Sequence, residues 1–167
     1  DIRNLGAVLA AVKNSGIDPA GVISVVSEVG MAAAAAVRQA YILSGPDAEL
    51  TRRLTDKKKQ RQVWDVAGLP NPQWRAATSI ASAKKAVSDI GLPVIIKPAD
   101  AGGSRGVTKL ENMTQFDQAC ADAFAHSRNG YIMVEEFIEG LECTVETFSH
   151  KGTTHTLLCT EKVKVPG

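Results

Sequence analysis

The stretch Leu92-Pro93-Val94-Ile95-Ile96-Lys97-Pro98-Ala99-Asp100-Ala101-Gly102-Gly103-Ser104-Arg105-Gly106-Val107 decides how the rest of the chain is read. Its first part, Pro93 to Pro98, is short, apolar and rich in β-branched residues, which predicts a strand. Side chains alternate along a strand, so Val94 and Ile96 share one face while Ile95 and Lys97 share the other. An ammonium at the end of an apolar strand is costly to bury without a counter-charge. Lys97 therefore requires an anion, and a polyphosphate would serve. The loop over 99–106 follows at once and carries Gly102, Gly103 and Gly106. Glycine lets backbone amides approach phosphate oxygens and reaches the angles a tight turn needs.

The flanks of the loop separate it from two better-known glycine loops. A P-loop runs Gly-Lys-Ser/Thr into a helix, and a dinucleotide fold places Gly-x-Gly-x-x-Gly at a strand-to-helix junction. Here Gly-Gly-Ser-Arg-Gly leads into Val107-Thr108-Lys109-Leu110, which alternates as a strand does. The loop thus joins two strands, as a flap. The residues alone also allow a plain surface turn beside an ion-paired lysine.

Working outward, Ile2, Leu5, Val8, Leu9 and Val12 recur at three and four and predict a helix over 2–13. The β-branched run 21–26 predicts a short buried strand. Ser27 is placed to cap a helix from Glu28 to Tyr41, and Thr55 or Asp56 one from Lys57 to about Val66. Gly45-Pro46 punctuates the chain between these helices. A strand is expected over 74–77, a helix over 79–90, a helix capped by Thr114 to about Ser127, a strand over 131–137, and a hairpin of 142–149 with 153–160 around His150-Lys151-Gly152.

The chain has 167 residues, 44% hydrophobic and 22% charged, which excludes a disordered, collagenous or coiled-coil polypeptide and leaves room for one core or two small ones. Nineteen Lys and Arg against 18 Asp and Glu leave a net charge of +1, so no global field draws it to nucleic acid or to a membrane surface. Its longest apolar run, around 31–37, is far below the roughly 20 residues of a bilayer crossing, and its first residues do not read as a signal peptide. Cys120, Cys143 and Cys159 contain no Cys-x-x-Cys pair and predict reduced thiols in a cytoplasmic protein. His126, His150 and His155 show no zinc-ligand spacing. The start at Asp1 and the stop at Pro166-Gly167 suggest a segment of something longer.

A second constellation is Val134-Glu135-Glu136-Phe137-Ile138-Glu139-Gly140-Leu141-Glu142. Backbone groups near Phe137 and Ile138 can match an adenine edge, Glu135 can accept from its amino group, and Glu142 can accept from ribose hydroxyls. A solvated acidic hairpin would have the same composition.

Taken in order, Asp56-Lys57, Gly-Leu-Pro-x-Pro at 68–72, Gly-Leu-Pro-Val-Ile-Ile-Lys-Pro at 91–98, Gly-Gly-Ser-Arg-Gly at 102–106 and Val-Glu-Glu-Phe-Ile-Glu-Gly-x-Glu at 134–142 resemble the ATP-grasp superfamily over about residues 55–167, with a weaker similarity over 19–46. The resemblance implies an α+β chain: a truncated ATP-grasp fold preceded by the tail of an α/β pre-ATP-grasp domain. Residues 1–50 would be that tail and 51–73 a linking helix and loop. Residues 74–135 would form the first ATP-grasp subdomain and 136–167 the incomplete start of the second.

It also implies roles. Lys57 would reach the phosphates, while Lys58 and Lys59 form a solvated face. Lys97 would hold the α- and β-phosphates, and Ser104 with the amides of Gly102 and Gly103 would cover the β- and γ-phosphates. Glu135 would take the adenine amino group, Glu136 and Ile138 would meet the base through backbone atoms with Phe137 packing between them, and Glu142 would bind the ribose. The cofactors implied are ATP and Mg2+, with the metal ligands and a catalytic arginine outside the chain, so that this segment alone would be inactive. The activity implied is an ATP-dependent ligase, closest to the carboxylate–amine and amino-acid ligases, with the biotin carboxylase and carbamoyl phosphate synthetase branch second. A nucleotide-binding or regulatory module and a kinase on the same fold are the rivals. The partners are ATP and small carboxylates and amines, without nucleic acid or membrane, and an unfinished second sheet would invite self-association into a homo-oligomer.

Overall fold

In the computed structural model, which describes residues 1–25 and 27–163, polar caps set where the helices begin. Asn4 accepts from the Ala7 amide ahead of α1 (Leu5–Asn14), and Ser27 from the Gly30 amide ahead of α2 (Glu28–Tyr41). Asp47 does the same for Leu50 at α3 (Ala48–Thr55) and Asp56 for Lys59 at α4 (Lys57–Val66). Each cap satisfies an amide that the first helical turn leaves without a carbonyl. Ser79 and Ser82 form a reciprocal capping box at α5 (Ile80–Ile90), whereas α6 (Phe116–His126) continues a 3-10 turn at Met113–Gln115.

Strands β1 (Trp74–Ala77), β2 (Val94–Pro98), β3 (Thr108–Leu110) and β4 (Ile132–Glu136) form one antiparallel sheet in the order β1-β4-β2-β3. One sheet face packs against α5 and α6. Val94, Ile96, Leu110, Ile132 and Val134 meet Ala83, Ala86, Val87, Phe116, Ala119, Cys120 and Ala123 in a single buried cluster. The alanines let both helices lie close to the strands, and Val87 of α5 and Phe116 of α6 fill the space that remains. The opposite face is thereby left to Ile95, Lys97, Met133 and Glu135.

The described chain divides into two units, Asp1–Phe137 and Ile138–Gly167. The second is a hairpin of β5 (Cys143–His150) and β6 (Thr153–Glu161), turning at Lys151-Gly152, where both residues have positive φ, and bulged between Glu146 and Thr147. Cys120 is buried, Cys143 and Cys159 are exposed, and all three are free thiols. Among the described residues no helix is long and apolar enough to cross a membrane.

Three expectations need correction. The strand expected over 21–26 is irregular backbone over its described part, with Val26 outside the described residues. Ile23 and Val25 are 82% and 66% exposed. No described strand pairs with this run, and β-branched composition cannot supply a ladder by itself. Thr114 does not cap α6: its amide donates to the Asn112 side chain, so it lies inside the 3-10 turn that leads into the helix. Helix α3 is absent from the sequence reading, although Asp47 one residue ahead of Ala48-Glu49-Leu50 is an N-cap signal.

Ile96 has no exposed surface and sits at the centre of the sheet's packed face. Ile96→Ala is expected to destabilise the chain by about 2–5 kcal/mol, measured by denaturant unfolding. A cost below about 1 kcal/mol would mean that this face is not the core.

Candidate functional site

The register of the sheet brings the charged residues of its open face together. Ile95 of β2 pairs with Glu135 of β4, and Trp74 of β1 pairs with the same glutamate from the other side. Lys97 pairs with Met133 two residues along, so its ammonium reaches diagonally to Glu135, with Nζ 2.7 Å from Oε2. Helix α4 lies over this face and adds Arg61, whose Nε and Nη2 donate to Oε1 and Oε2 of Glu135 at 3.0 and 2.8 Å. The three side chains are largely out of water: Glu135 is 4% exposed, Arg61 15% and Lys97 17%. Burial alone would raise the Glu135 pKa. The hydrogen bonds and charges of Arg61 and Lys97 outweigh it and hold the carboxyl below its ordinary 4.5.

The start of α4 is pinned to the end of β2. Asp56, the helix cap, also accepts from the Tyr131 hydroxyl and from Asn129 Nδ2 just ahead of β4. The Lys57 amide donates to the Ala99 carbonyl at 2.8 Å, and Lys57 Nζ to the Ala101 carbonyl at 2.6 Å. Lys57 therefore stands at the root of the glycine loop. Burial lowers its pKa from 10.5; the charges of Glu28, Asp100 and Glu135 oppose the shift and that of Lys97 adds to it, which places the two lysines in one electrostatic neighbourhood. Lys58 lies over the Tyr131 ring and Lys59 bonds Glu49, so both leave the site to Lys57.

The loop between β2 and β3 turns through Gly103 and Ser104, with φ of +69° and +56°. Two successive left-handed residues turn their amides away from the ordinary strand direction, a backbone arrangement suited to anions. Ser104 is exposed. Gly102 backs onto the Glu28 carboxylate, which would lie 3.0 Å from an added Cβ. At Gly106, φ is +66° and a Cβ would meet the Asp122 carbonyl, His126 Nδ1 and Pro98 Cγ at 3.2 Å, so glycine closes the loop against α6. A cleft of about 810 Å³ opens beside the loop, lined among others by Glu28, Asp100, Gly102, Gly103, Arg105 and Arg128. That volume lies within the range of small-molecule sites.

Lys57, Lys97, Glu135 and the loop of Gly102, Gly103 and Ser104 are thus neighbours. Two residues of the acidic segment have partners within the sheet. Glu135, expected at the adenine amino group, accepts from two cations through both oxygens and so supplies an anion for Lys97. The amide of Glu136, expected to face the base, donates to the Gln73 carbonyl at 2.8 Å, and that of Phe137 to the Pro93 carbonyl at 3.2 Å. The Phe137 ring packs under the Lys109 ammonium, 4.1 Å from its centroid. Ile138 and Glu142 belong to the second unit, where Ile138 is 63% exposed and Glu142 bonds the Lys162 ammonium at 2.8 Å. Arg61 is the residue that sequence reasoning missed. Its spacing four after Lys57 puts both on one helix face, a signal that was available.

Residues 63–165 match the family model described as the D-ala D-ala ligase C-terminus. A D-alanine–D-alanine ligase of Paracidovorax citrulli (strain AAC00-1) is 32% identical over 114 residues, covering 68% of this chain and 34% of that protein. An L-amino acid ligase from Bacillus licheniformis shares the fold at a TM-score of 0.77 and 22% identity, over 98% of this chain and 37% of that one. A biotin carboxylase–β-γ-ATP complex from Campylobacter jejuni does so at 0.71 and 26%, over 92% and 36%. The chain spans about a third of the length of these proteins.

Because Glu135 has a lowered folded-state pKa, its stabilisation is complete above the unfolded value of 4.5 and fades as the pH falls through the folded one. Glu135→Gln is expected to cost about 1–3 kcal/mol at neutral pH, since it leaves two part-buried cations without their carboxylate. The gap to the unaltered chain should narrow as the pH drops below 4.5, read by denaturant titrations at neutral and acid pH. A gap that stays constant across that range would contradict the ion-pair assignment.

Proposed function

The chain belongs to the D-ala D-ala ligase C-terminus family, within the ATP-grasp superfamily, and from that we propose that it forms the ATP-gripping part of a ligase that joins a carboxylate to an amine. The observation that carries this reading is the convergence of Lys57 and Lys97, both part-buried, at the root of a loop whose Gly103 and Ser104 are left-handed. Two cations beside reoriented amides offer a polyphosphate both charge and hydrogen bonds, and charge-assisted contacts are the stronger kind. Lys97 would hold the inner phosphates and Lys57 would add charge beside them. Gly102, Gly103 and Ser104 would fold over the outer ones.

In such a ligase the γ-phosphoryl group moves to a carboxylate oxygen, giving an acylphosphate and ADP. An amine nitrogen then attacks the acyl carbon, phosphate leaves and a C–N bond remains. The chain's own contribution would be to orient the phosphates through the lysines and, through the glycine loop, to keep water from the activated acyl group. Among the described residues no three His, Cys, Asp or Glu side chains converge to hold a metal ion. The Mg2+ that accompanies ATP in this superfamily is expected to find its ligands outside these residues. The names of the relatives support amino acids as both acid and amine.

Lys97→Ala is expected to weaken ATP binding by about tenfold or more, measured by titration calorimetry on the chain. The parent protein, supplied with ATP and pairs of D- or L-amino acids, should release ADP only when both an acid and an amine are present. Unchanged affinity in the variant would remove the phosphate role, and ADP release independent of amino acids would remove the ligase reading.

A further inference from the structure

Lys97 faces two demands. It neutralises a buried carboxylate here, and in the function proposed above, on which this inference rests, it turns to phosphate. An ammonium has three donors, and among the described residues Glu135 is its only hydrogen-bonded partner. If Glu135 depended on Lys97 alone, moving that ammonium toward a nucleotide would strand a carboxylate that is 4% exposed.

Arg61 removes the conflict by geometry. Its fork reaches both Glu135 oxygens, whereas Lys97 reaches only Oε2, so both oxygens remain bonded if Lys97 leaves. The guanidinium is itself held on other sides: Nη1 donates to Asn71 Oδ1 at 3.1 Å, and the group lies over the Trp64 ring at 4.9 Å. Asn71 in turn donates to the Arg61 carbonyl and to Asp65, which locks the helix end to the turn before β1. An arginine stays charged throughout the working pH range and loses little freedom in a two-point contact. The trio therefore carries one surplus positive charge, which an incoming phosphate can use, and Lys57 stands nearby with the carboxylates of Glu28 and Asp100 beside it.

We propose that Arg61 is a positioning residue that keeps Glu135 paired and ionised, so that Lys97 is released to bind the phosphates of ATP. Without the guanidinium, Lys97 and Glu135 would form a closed neutral pair. Capture of Lys97 by phosphate would then force Glu135 to take up a proton from solvent. Among the described residues, Lys97 is the one cation besides Arg61 that hydrogen-bonds Glu135.

The test is calorimetric titration of the full chain with ATP near neutral pH, in two buffers of different ionisation enthalpy. The unaltered chain is expected to bind ATP without proton uptake at Glu135. Arg61→Met should bind about tenfold or more weakly, with uptake of about one proton per ATP, while Arg61→Lys should recover part of the affinity and show no uptake. In a Glu135→Gln background the Arg61→Met change should cost little, because no carboxylate remains to be compensated; that double variant also leaves no buried carboxylate unpaired. An Arg61→Met loss of equal size in both backgrounds, or without proton uptake, overturns the inference and leaves the ATP site standing. Failure of the unaltered chain to bind ATP overturns the site, and this inference with it.

Discussion

A carboxylate almost without solvent exposure, held between a guanidinium and an ammonium, is the constraint on which the open face of the sheet depends. Glu135 comes from β4, Lys97 from β2 and Arg61 from α4, so one charged cluster fixes how the helix lies over the strands. Burying such charges is expensive, and the expense is offset only when every charge has its counterpart in place. Among the described residues, the buried cluster of the packed face includes none from α4, whereas the open face is bonded to it through Arg61. Hydrophobic packing on one side and an ion cluster on the other thus give the same sheet a core and a working surface.

The glycine loop shares that surface because its two ends are fixed. Lys57 holds the near end through the carbonyls of Ala99 and Ala101, and Gly106 closes the far end against Pro98 and α6, at a positive φ and at a distance tight for a side chain. Between them Gly103 and Ser104 turn freely exposed backbone toward solvent. A loop fixed at its ends and turned at its tip suits a grip that must cover a ligand and let it go. Membership of the family and this arrangement support the proposed holding of a triphosphate.

Much of this was legible in residue order. The β2 strand followed from a short apolar run rich in β-branched residues, the flap from three glycines between two strand patterns, and the helix starts near Ser27 and Asp56 from cap residues ahead of helical spacing. Those are local signals, carried by neighbours in the chain. The run 21–25 misled because β-branched composition resembles a strand whether or not a neighbour exists to pair with it. Helix α3 was not legible because Gly45-Pro46 reads as a chain break immediately ahead of its Asp47 cap.

The sequence by itself determined where helices and strands begin, that a lysine would stand at the mouth of an apolar strand, and that pliable backbone would follow it. It also determined the family, through short motifs kept in order. Only the tertiary structure decided which anion answers Lys97. That depends on register: pairing Ile95 with Glu135 and draping α4 across the face brings Arg61 to a residue 74 positions away, and side chains so far apart in sequence leave no local pattern to announce their meeting.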